Sequence, residues 1–119
     1  MFIVDPVSKK ITLHKGDCGS VVYKINGFTL DDSARAKWTM KDAKGNVVKL
    51  VIAPFDENNQ FEVVFENKDT DRLAAGKYEY DVRIAKEPIY DEDGDIIDGY
   101  IRTPESPLTV ELLSVVGDI

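Results

Sequence analysis

Four aspartates fall within eight positions of one short segment, residues 90–99, which reads YDEDGDIIDG. Carboxylate oxygens at alternate positions are the ligands that calcium takes in an EF-hand loop, which also needs a glycine at its sixth position and a glutamate at its twelfth. Counted from Asp91, the sixth residue is Ile96 and the twelfth is Arg102, whereas the glycine comes two residues early. An arginine in place of the glutamate opposes cation binding, so the segment does not fit an EF-hand.

The same segment is predicted to form a β-hairpin. Asp93–Gly94 is a dipeptide that favours a tight hairpin turn. Apolar residues stand on both sides of it, namely Ile89, Tyr90, Ile96 and Ile97. The aspartates at the hairpin tip could still bind calcium weakly, and this alternative stays open. We predict a plain turn, with no designed metal site and no cofactor.

The hairpin is unusually apolar for a projecting acidic loop. The simpler interpretation is that its apolar residues extend two strands and pack inward. If one face stays uncovered, it is a partner surface, because exposed apolar patches in soluble proteins usually mark interfaces. Tyrosines and isoleucines inside a charged rim suit such an interface. The candidate partner surface comprises Ile89, Tyr90, Asp91, Asp93, Asp95, Ile97 and Tyr100.

Other residues of types that take part in catalysis are poorly placed for it. His14 and Cys18 are four positions apart across Gly16–Asp17, and a cysteine nucleophile needs a neighbouring base. No third orienting residue is indicated, and a zinc site would need further ligands that are not present. Carboxylate pairs are inevitable among 22 acidic residues, so they do not indicate a glycosidase. We predict no catalytic residue and no enzyme activity.

Charge is distributed unevenly along the chain. Residues 1–50 carry nine Lys/Arg and five Asp/Glu, whereas residues 51–119 carry six and seventeen, so balances of +4 and −11 sum to −7. A nucleic-acid partner needs a basic stripe to displace counterions from phosphate, so we predict none. No run approaches the ~20 apolar residues that cross a membrane. The amino terminus, MFIVDPVSKK, does not resemble a secretory signal. We therefore expect neither a membrane partner nor a signal peptide.

Apolar and polar residues alternate along most of the chain at a period of two, which is the spacing of half-buried strands. The clearest case is residues 77–84, with further segments at 11–13, 21–25, 36–40, 48–52, 61–65 and 108–112. Turn sequences separate them, including 42–46 and 57–59, and the helical signal is one turn near 68–73. We predict about seven to nine strands in a single domain, spanning 1–119 with an extended acidic hairpin at about 86–103.

Strands of this number and spacing predict an antiparallel β-sandwich, because a sheet face needs a second layer and no helix is available to supply it. Trp38 falls in the third strand, where immunoglobulin-like sandwiches place a core tryptophan. The run Leu73–Tyr80 resembles the crossover of such domains, in which a tyrosine hydroxyl bonds to the crossover backbone. The chain has one cysteine, so apolar residues must fill the place of the usual inter-sheet disulfide: Val21, Tyr23, Tyr80 and Val82. We therefore predict an all-β, antiparallel immunoglobulin-like β-sandwich.

Three stretches together resemble a known group of proteins: Ile11–Asp17 (ITLHKGD), Gly27–Asp32 leading into Ala36–Lys41, and Asp69–Arg83, which includes LAAGKYEYDVR. They are similar to the small immunoglobulin-like structural proteins of phages and prophages, and to the amino-terminal domain of phage baseplate upper proteins. The resemblance covers roughly residues 10–115, and the segment from Lys86 to Thr103 departs from it. It implies a structural role in a tail or baseplate, where such a domain docks other subunits, and it supplies no catalytic residue.

These observations predict a non-catalytic module that acts by protein–protein contact as a tail- or baseplate-associated component. Such a protein is made in the bacterial cytoplasm and carried in the virion. Its expected partners are other protein subunits or further copies of itself. The alternative is a carbohydrate-binding or adhesin-type β-sandwich, in which a few exposed aromatics form a line. The aromatic candidates are Phe28, Trp38, Phe55, Tyr78 and Tyr80.

Overall fold

The alternating segments of the sequence form strands. The computed structural model describes residues 2–102 and 108–114, without the side chain of Arg102, and within these residues it has nine strands and one helix. The strands are β1 (Phe2–Val4), β2 (Ile11–His14), β3 (Gly19–Lys24), β4 (Arg35–Lys41), β5 (Val47–Pro54), β6 (Gln60–Phe65), β7 (Gly76–Tyr90), β8 (Ile96–Arg102) and β9 (Leu108–Leu113). The helix α1 (Asn67–Thr70) is a single turn. The all-β prediction is confirmed, and no helix of the described residues is long and apolar enough to span a membrane.

The strands form two sheets. The larger sheet has the order β1-β2-β9-β7-β4-β5, and the smaller sheet consists of β3 and β6. β9 pairs with the first part of β7, from Gly76 to Tyr80, and β8 pairs with the part beyond it, from Ile84 to Tyr90. The unusually long β7 therefore begins inside the sheet and continues into a hairpin with β8.

The prediction of a purely antiparallel arrangement is wrong, because β2 and β9 pair in parallel. The other strand pairs of the described residues are antiparallel. Alternation along a strand determines which face each side chain occupies, but it carries no information about the direction of the neighbouring strand. β2 continues into β3 of the other sheet, so no hairpin forces it to run against β9.

The two sheets enclose one hydrophobic core. Trp38 of β4 is fully buried. Its ring stacks on Tyr80 of β7 at a centroid distance of 5.0 Å and meets the edge of Phe65 of β6 at 5.6 Å. Because Phe65 belongs to the smaller sheet, Trp38 connects the two layers. Each such aromatic pair contributes about 0.5–1.5 kcal/mol beyond the burial of its area.

Two core tyrosines also bond to surface backbone. The Tyr78 hydroxyl donates to the Ala74 carbonyl at 2.7 Å, which confirms the predicted bond between a tyrosine and the crossover. The Tyr80 hydroxyl donates to the Lys9 carbonyl at 2.6 Å, and burial raises the Tyr80 pKa far above its ordinary value. The Tyr23 and Tyr80 rings lie 6.3 Å apart. Aromatic packing therefore joins the sheets at the place where the sequence predicted apolar residues instead of a disulfide.

Candidate functional site

The tip of the β7–β8 hairpin is built around Asp91. Its Oδ1 accepts hydrogen bonds from the backbone N–H groups of Asp93 and Asp95, both at 2.9 Å. The Asp91 N–H donates to the Asp95 carbonyl at 2.9 Å, and the Gly94 N–H donates to the Asp91 carbonyl at 3.2 Å. Gly94 has a φ of +83°, a conformation that glycine adopts without strain. The sequence Asp93–Gly94 thus lies in a hairpin turn, as its dipeptide predicted.

Two other connections repeat this geometry. Asp42 and Asp56 cap the turns after β4 and β5, and each accepts hydrogen bonds from the backbone N–H groups two and four residues later. The fourth residue of each turn again has a positive φ, +85° at Gly45 and +57° at Asn59. The Asp91 carboxylate therefore has the same structural role as Asp42 and Asp56. Among the described residues, no group of three or more His, Cys, Asp or Glu side chains is placed to hold a metal ion.

The hairpin folds back over the outer face of the larger sheet. Lys37 lies between the buried Ala36 and Trp38 and thus faces away from the core. Its Nζ is 2.7 Å from Asp95 Oδ1, although Lys37 pairs with Arg83 in the sheet. β7 continues from Arg83 for seven residues, to position 90 (90 − 83 = 7), a reach of about 23 Å in a straight strand. The contact between Lys37 and Asp95 therefore requires the hairpin to bend towards β4.

Bulges and one glycine allow this bend. The β7–β8 register shifts three times, all between Ile84 and Tyr90, and bulges bend a strand and increase its twist. Gly99 has a φ of +94°, and a Cβ at this position would overlap the Glu87 carbonyl oxygen. Glycine is the residue that permits such a close approach of two backbones.

Contacts on the inner side hold the hairpin in place. Ile96 is 2% exposed, and the Tyr100 hydroxyl donates to its carbonyl at 2.8 Å. The Arg83 guanidinium carbon lies 4.1 Å from the centroid of the Tyr100 ring, within the range of a cation–π interaction. The hydrogen bond from Lys37 is the main cause that lowers the pKa of Asp95 below its ordinary value. Asp95 is therefore an ionised anchor of the hairpin.

The hairpin leaves four large apolar side chains exposed, which we call the apolar patch: Ile89 (54%), Tyr90 (46%), Ile97 (60%) and Ile101 (38%). The interpretation that the apolar residues pack inward holds for Ile96 and is wrong for the patch. The register shifts explain this difference, because they interrupt the alternation that would have placed all of these residues on the inner face.

Five acidic residues accompany the apolar patch, and we call them the acidic rim: Glu87, Asp91, Glu92, Asp93 and Asp98. All five are exposed, and none forms an ion pair with a described residue. Within the described part of the chain, these five negative charges thus have no ion-pair partner.

The structure leaves five of the seven predicted surface residues exposed on the hairpin. Asp95 and Tyr100 are the exceptions, since they are half-buried and face Lys37 and Arg83. Ile101 also belongs to the patch, although the predicted partner surface did not include it. The period of two from Ile97 is a signal that could have indicated it, because it places Ile101 on the same strand face.

The other candidate residues do not form a site. His14 Nδ1 lies 3.8 Å from a carboxylate oxygen of Asp17, and Cys18 is exposed. Of the five aromatic candidates for sugar binding, Trp38, Tyr78 and Tyr80 are buried, and Phe28 and Phe55 pack partly buried against the core. The aromatic residues therefore support the core and do not form an exposed line.

Comparison with known families finds no family model that matches this chain, and comparison with curated proteins finds no match. The resemblance to phage structural proteins accordingly stays a prediction from the sequence.

Proposed function

We propose that this chain is an immunoglobulin-like β-sandwich that acts without catalysis, as a protein-interaction module of a phage or prophage tail or baseplate. Support for the fold comes from two facing sheets with a fully buried tryptophan, Trp38. The bond from the Tyr78 hydroxyl to the Ala74 carbonyl is a second feature of immunoglobulin-like domains.

The observation that carries the interaction role is the apolar patch on a fixed hairpin. Exposed apolar side chains clustered within a polar rim mark interaction surfaces. Lys37, Arg83 and the close backbone contact at Gly99 hold the hairpin in position. A partner therefore meets a preorganised surface, and binding does not have to order a flexible loop.

The assignment to a phage or prophage particle rests on the sequence resemblance of the strands and crossover. The hairpin lies in the segment that departs from that resemblance. We therefore propose that the shared part of the chain provides the scaffold, and that the hairpin makes a contact particular to this protein.

Affinity purification of the tagged chain from the producing cells or phage lysate tests this proposal. We expect the wild-type chain to retain a tail or baseplate protein. The double variant Ile89→Ser/Ile97→Ser should retain at least about tenfold less, because it removes the centre of the patch. Val22→Ser/Val64→Ser is the matched control, since these valines are 55% and 48% exposed on the smaller sheet.

Two results would contradict the proposal. The first is tight binding to a glycan with no protein partner, which would favour the carbohydrate-binding alternative. The second is a hydrolytic activity that disappears when one acidic residue is replaced by its amide.

A further inference from the structure

We infer that the hairpin binds a second copy of this chain. The two copies form a two-fold dimer through the outer face of the larger sheet of each copy. This inference rests on the proposed function, because it names the partner of the same surface. Its support is a second surface on the same face of the sheet, whose charge and apolar content complement those of the hairpin.

The complementary surface, which we call the basic patch, consists of Lys41, Lys44, Val47 and Leu50. Val47 and Leu50 of β5 are 55% and 43% exposed. Val47 lies opposite Lys41 in the sheet, and both lysines are exposed. Neither lysine forms an ion pair with a described residue. The patch is thus an apolar pair beside two exposed lysines that have no ion-pair partner among the described residues.

Two acidic residues near the basic patch offset part of its charge, but neither forms an ion pair with its lysines. The Asp42 carboxylate accepts the backbone N–H groups of Lys44 and Asn46. The bond from Asn46 is the main cause that lowers the Asp42 pKa, and the nearby charge of Lys44 also lowers it. Glu79 of β7 lies opposite Lys41, but it forms no ion pair with a described residue.

The basic patch and the hairpin occupy the same face of the larger sheet. Lys37, which anchors the hairpin through Asp95, and Lys41 both alternate with the core residues of β4. Residues four apart in a strand point to the same side and lie about 13 Å apart. One face of the molecule therefore carries an acidic apolar surface and a basic apolar surface side by side.

This arrangement suits a two-fold axis. When two copies face each other about such an axis, the hairpin of each copy meets the basic patch of the other, and the two contacts are identical. Side chains of the apolar patch then cover Val47 and Leu50, while Glu92 and Asp93 approach Lys41 and Lys44. Repetition of the contact doubles the buried area, which a single small patch would not supply.

Strand addition at a sheet edge is less suitable as the mode of contact. β5 is an edge strand of the larger sheet, and its Lys49 points inward to bond with Asp69 at 2.9 Å. Inward-pointing charges and bulges are devices that prevent edge pairing. The edge of β8 is irregular because of the register shifts with β7. These two edges are therefore poorly suited to strand pairing, and the inferred contact is between side chains on the sheet faces.

Sedimentation equilibrium of the purified chain, from about 1 μM to about 1 mM, measures the association. We expect the mass to rise from 13.3 kDa towards twice that value. Glu92→Lys/Asp93→Lys should weaken the dimer at least about tenfold, because lysines then face lysines. Lys41→Glu/Lys44→Glu should weaken it similarly, because acids then face acids. Circular dichroism of each variant confirms that these exposed substitutions leave the fold intact.

A mixture of the two charge-reversed variants gives the decisive measurement. In a mixed dimer each hairpin meets a patch of opposite charge, at both contacts, so the 1:1 mixture should recover wild-type affinity within about threefold. Glu57→Lys is the matched control for the hairpin change, because Glu57 follows Asp56 as Glu92 follows Asp91 in the same type of turn. This control should leave the dimer unchanged.

A mass of 13.3 kDa at every concentration overturns the inference, as does a dimer that survives both charge reversals or a mixture that does not associate. These outcomes are separate from a failure of the proposed function. If the chain stays monomeric but still captures a tail or baseplate protein through the hairpin, only the inferred dimer is wrong. If the chain dimerises but binds a glycan and no other protein, only the proposed role in a phage particle is wrong.

Discussion

The Asp91 carboxylate accepts hydrogen bonds from two backbone N–H groups at the tip of a hairpin. Aspartate is also a residue type that binds calcium. The equivalent aspartates Asp42 and Asp56 have the same bonds in turns that lack a run of acids. Residue type and spacing predicted a turn here and left weak calcium binding open. The repeated turn geometry supports the turn, because it shows what the first carboxylate contributes in each case.

Replacement of Asp91 separates the two roles. We expect Asp91→Asn to retain wild-type stability within about 0.5 kcal/mol, because the amide oxygen still accepts the two N–H groups. Asp91→Ala should lose about 1 kcal/mol or more, because both bonds disappear. Urea unfolding with and without millimolar calcium measures this. Stabilisation of the wild type by calcium that Asp91→Asn abolishes would show a metal site instead.

The pKa of Asp95 reports the anchor of the hairpin. The hydrogen bond from Lys37 lowers this pKa, so the interaction stabilises the fold above the ordinary aspartate pKa of about 3.9 and is lost as the pH falls below it. Lys37→Met should raise the Asp95 pKa towards its ordinary value, because the main cause that lowers it is lost; NMR titration of its carboxyl carbon measures this. Lys24→Met, at an exposed lysine of the smaller sheet, is the control and should leave this pKa unchanged. An unchanged value in Lys37→Met would mean that the pair does not persist in solution.

The Tyr78 hydroxyl makes one bond whose removal changes little else. Tyr78→Phe loses the 2.7 Å bond to the Ala74 carbonyl and should lower the free energy of unfolding by about 0.5–1.5 kcal/mol. Tyr90→Phe is the control, because the Tyr90 side chain is 46% exposed. Equal stability of the two variants in urea would indicate that water replaces the crossover bond without cost.

Among the elements, the β7–β8 hairpin is where sequence-based prediction was least complete. The acids, the turn and the apolar residues around it were predicted from Asp93–Gly94 and its neighbours. The backward bend was not, because it depends on the approach of Gly99 to Glu87 and on a long-range pair, Lys37 with Asp95. Local periodicity contains no information about such contacts between distant segments.

Two glycines of the hairpin provide a matched test of the bend. Both Gly94 and Gly99 have a positive φ, but a Cβ at Gly94 meets open space, whereas one at Gly99 overlaps the Glu87 carbonyl. Gly94→Ala should cost about 1–2 kcal/mol for its backbone conformation. Gly99→Ala carries that cost and must also displace the backbone of β7, so we expect a further loss of about 1–3 kcal/mol. Urea unfolding measures both, and equal losses would mean that the close approach does not exist in solution.

For the whole molecule, the strands and core were predictable because alternation assigns each residue to a face. Trp38, Tyr80 and Ile84 are buried where the period of two placed them. The parallel pairing of β2 with β9 was not predictable, because strand direction depends on how the chain passes between the sheets. Which side of the hairpin is exposed was likewise not predictable, because its register shifts interrupt the alternation.

The connection of both sheets through Trp38 predicts how the molecule unfolds. The chain has one tryptophan, fully buried between Tyr80 of the larger sheet and Phe65 of the smaller. Its fluorescence therefore reports the packing of the two layers, while far-ultraviolet circular dichroism reports the strands. Because neither sheet can retain its apolar face without the other, we expect both signals to change at the same urea concentration in one transition. Under Gly99→Ala, both midpoints should fall together if the hairpin belongs to the same cooperative unit. A tryptophan midpoint that precedes the loss of strand signal would show that the larger sheet persists alone, and that its outer face and hairpin have a stability of their own.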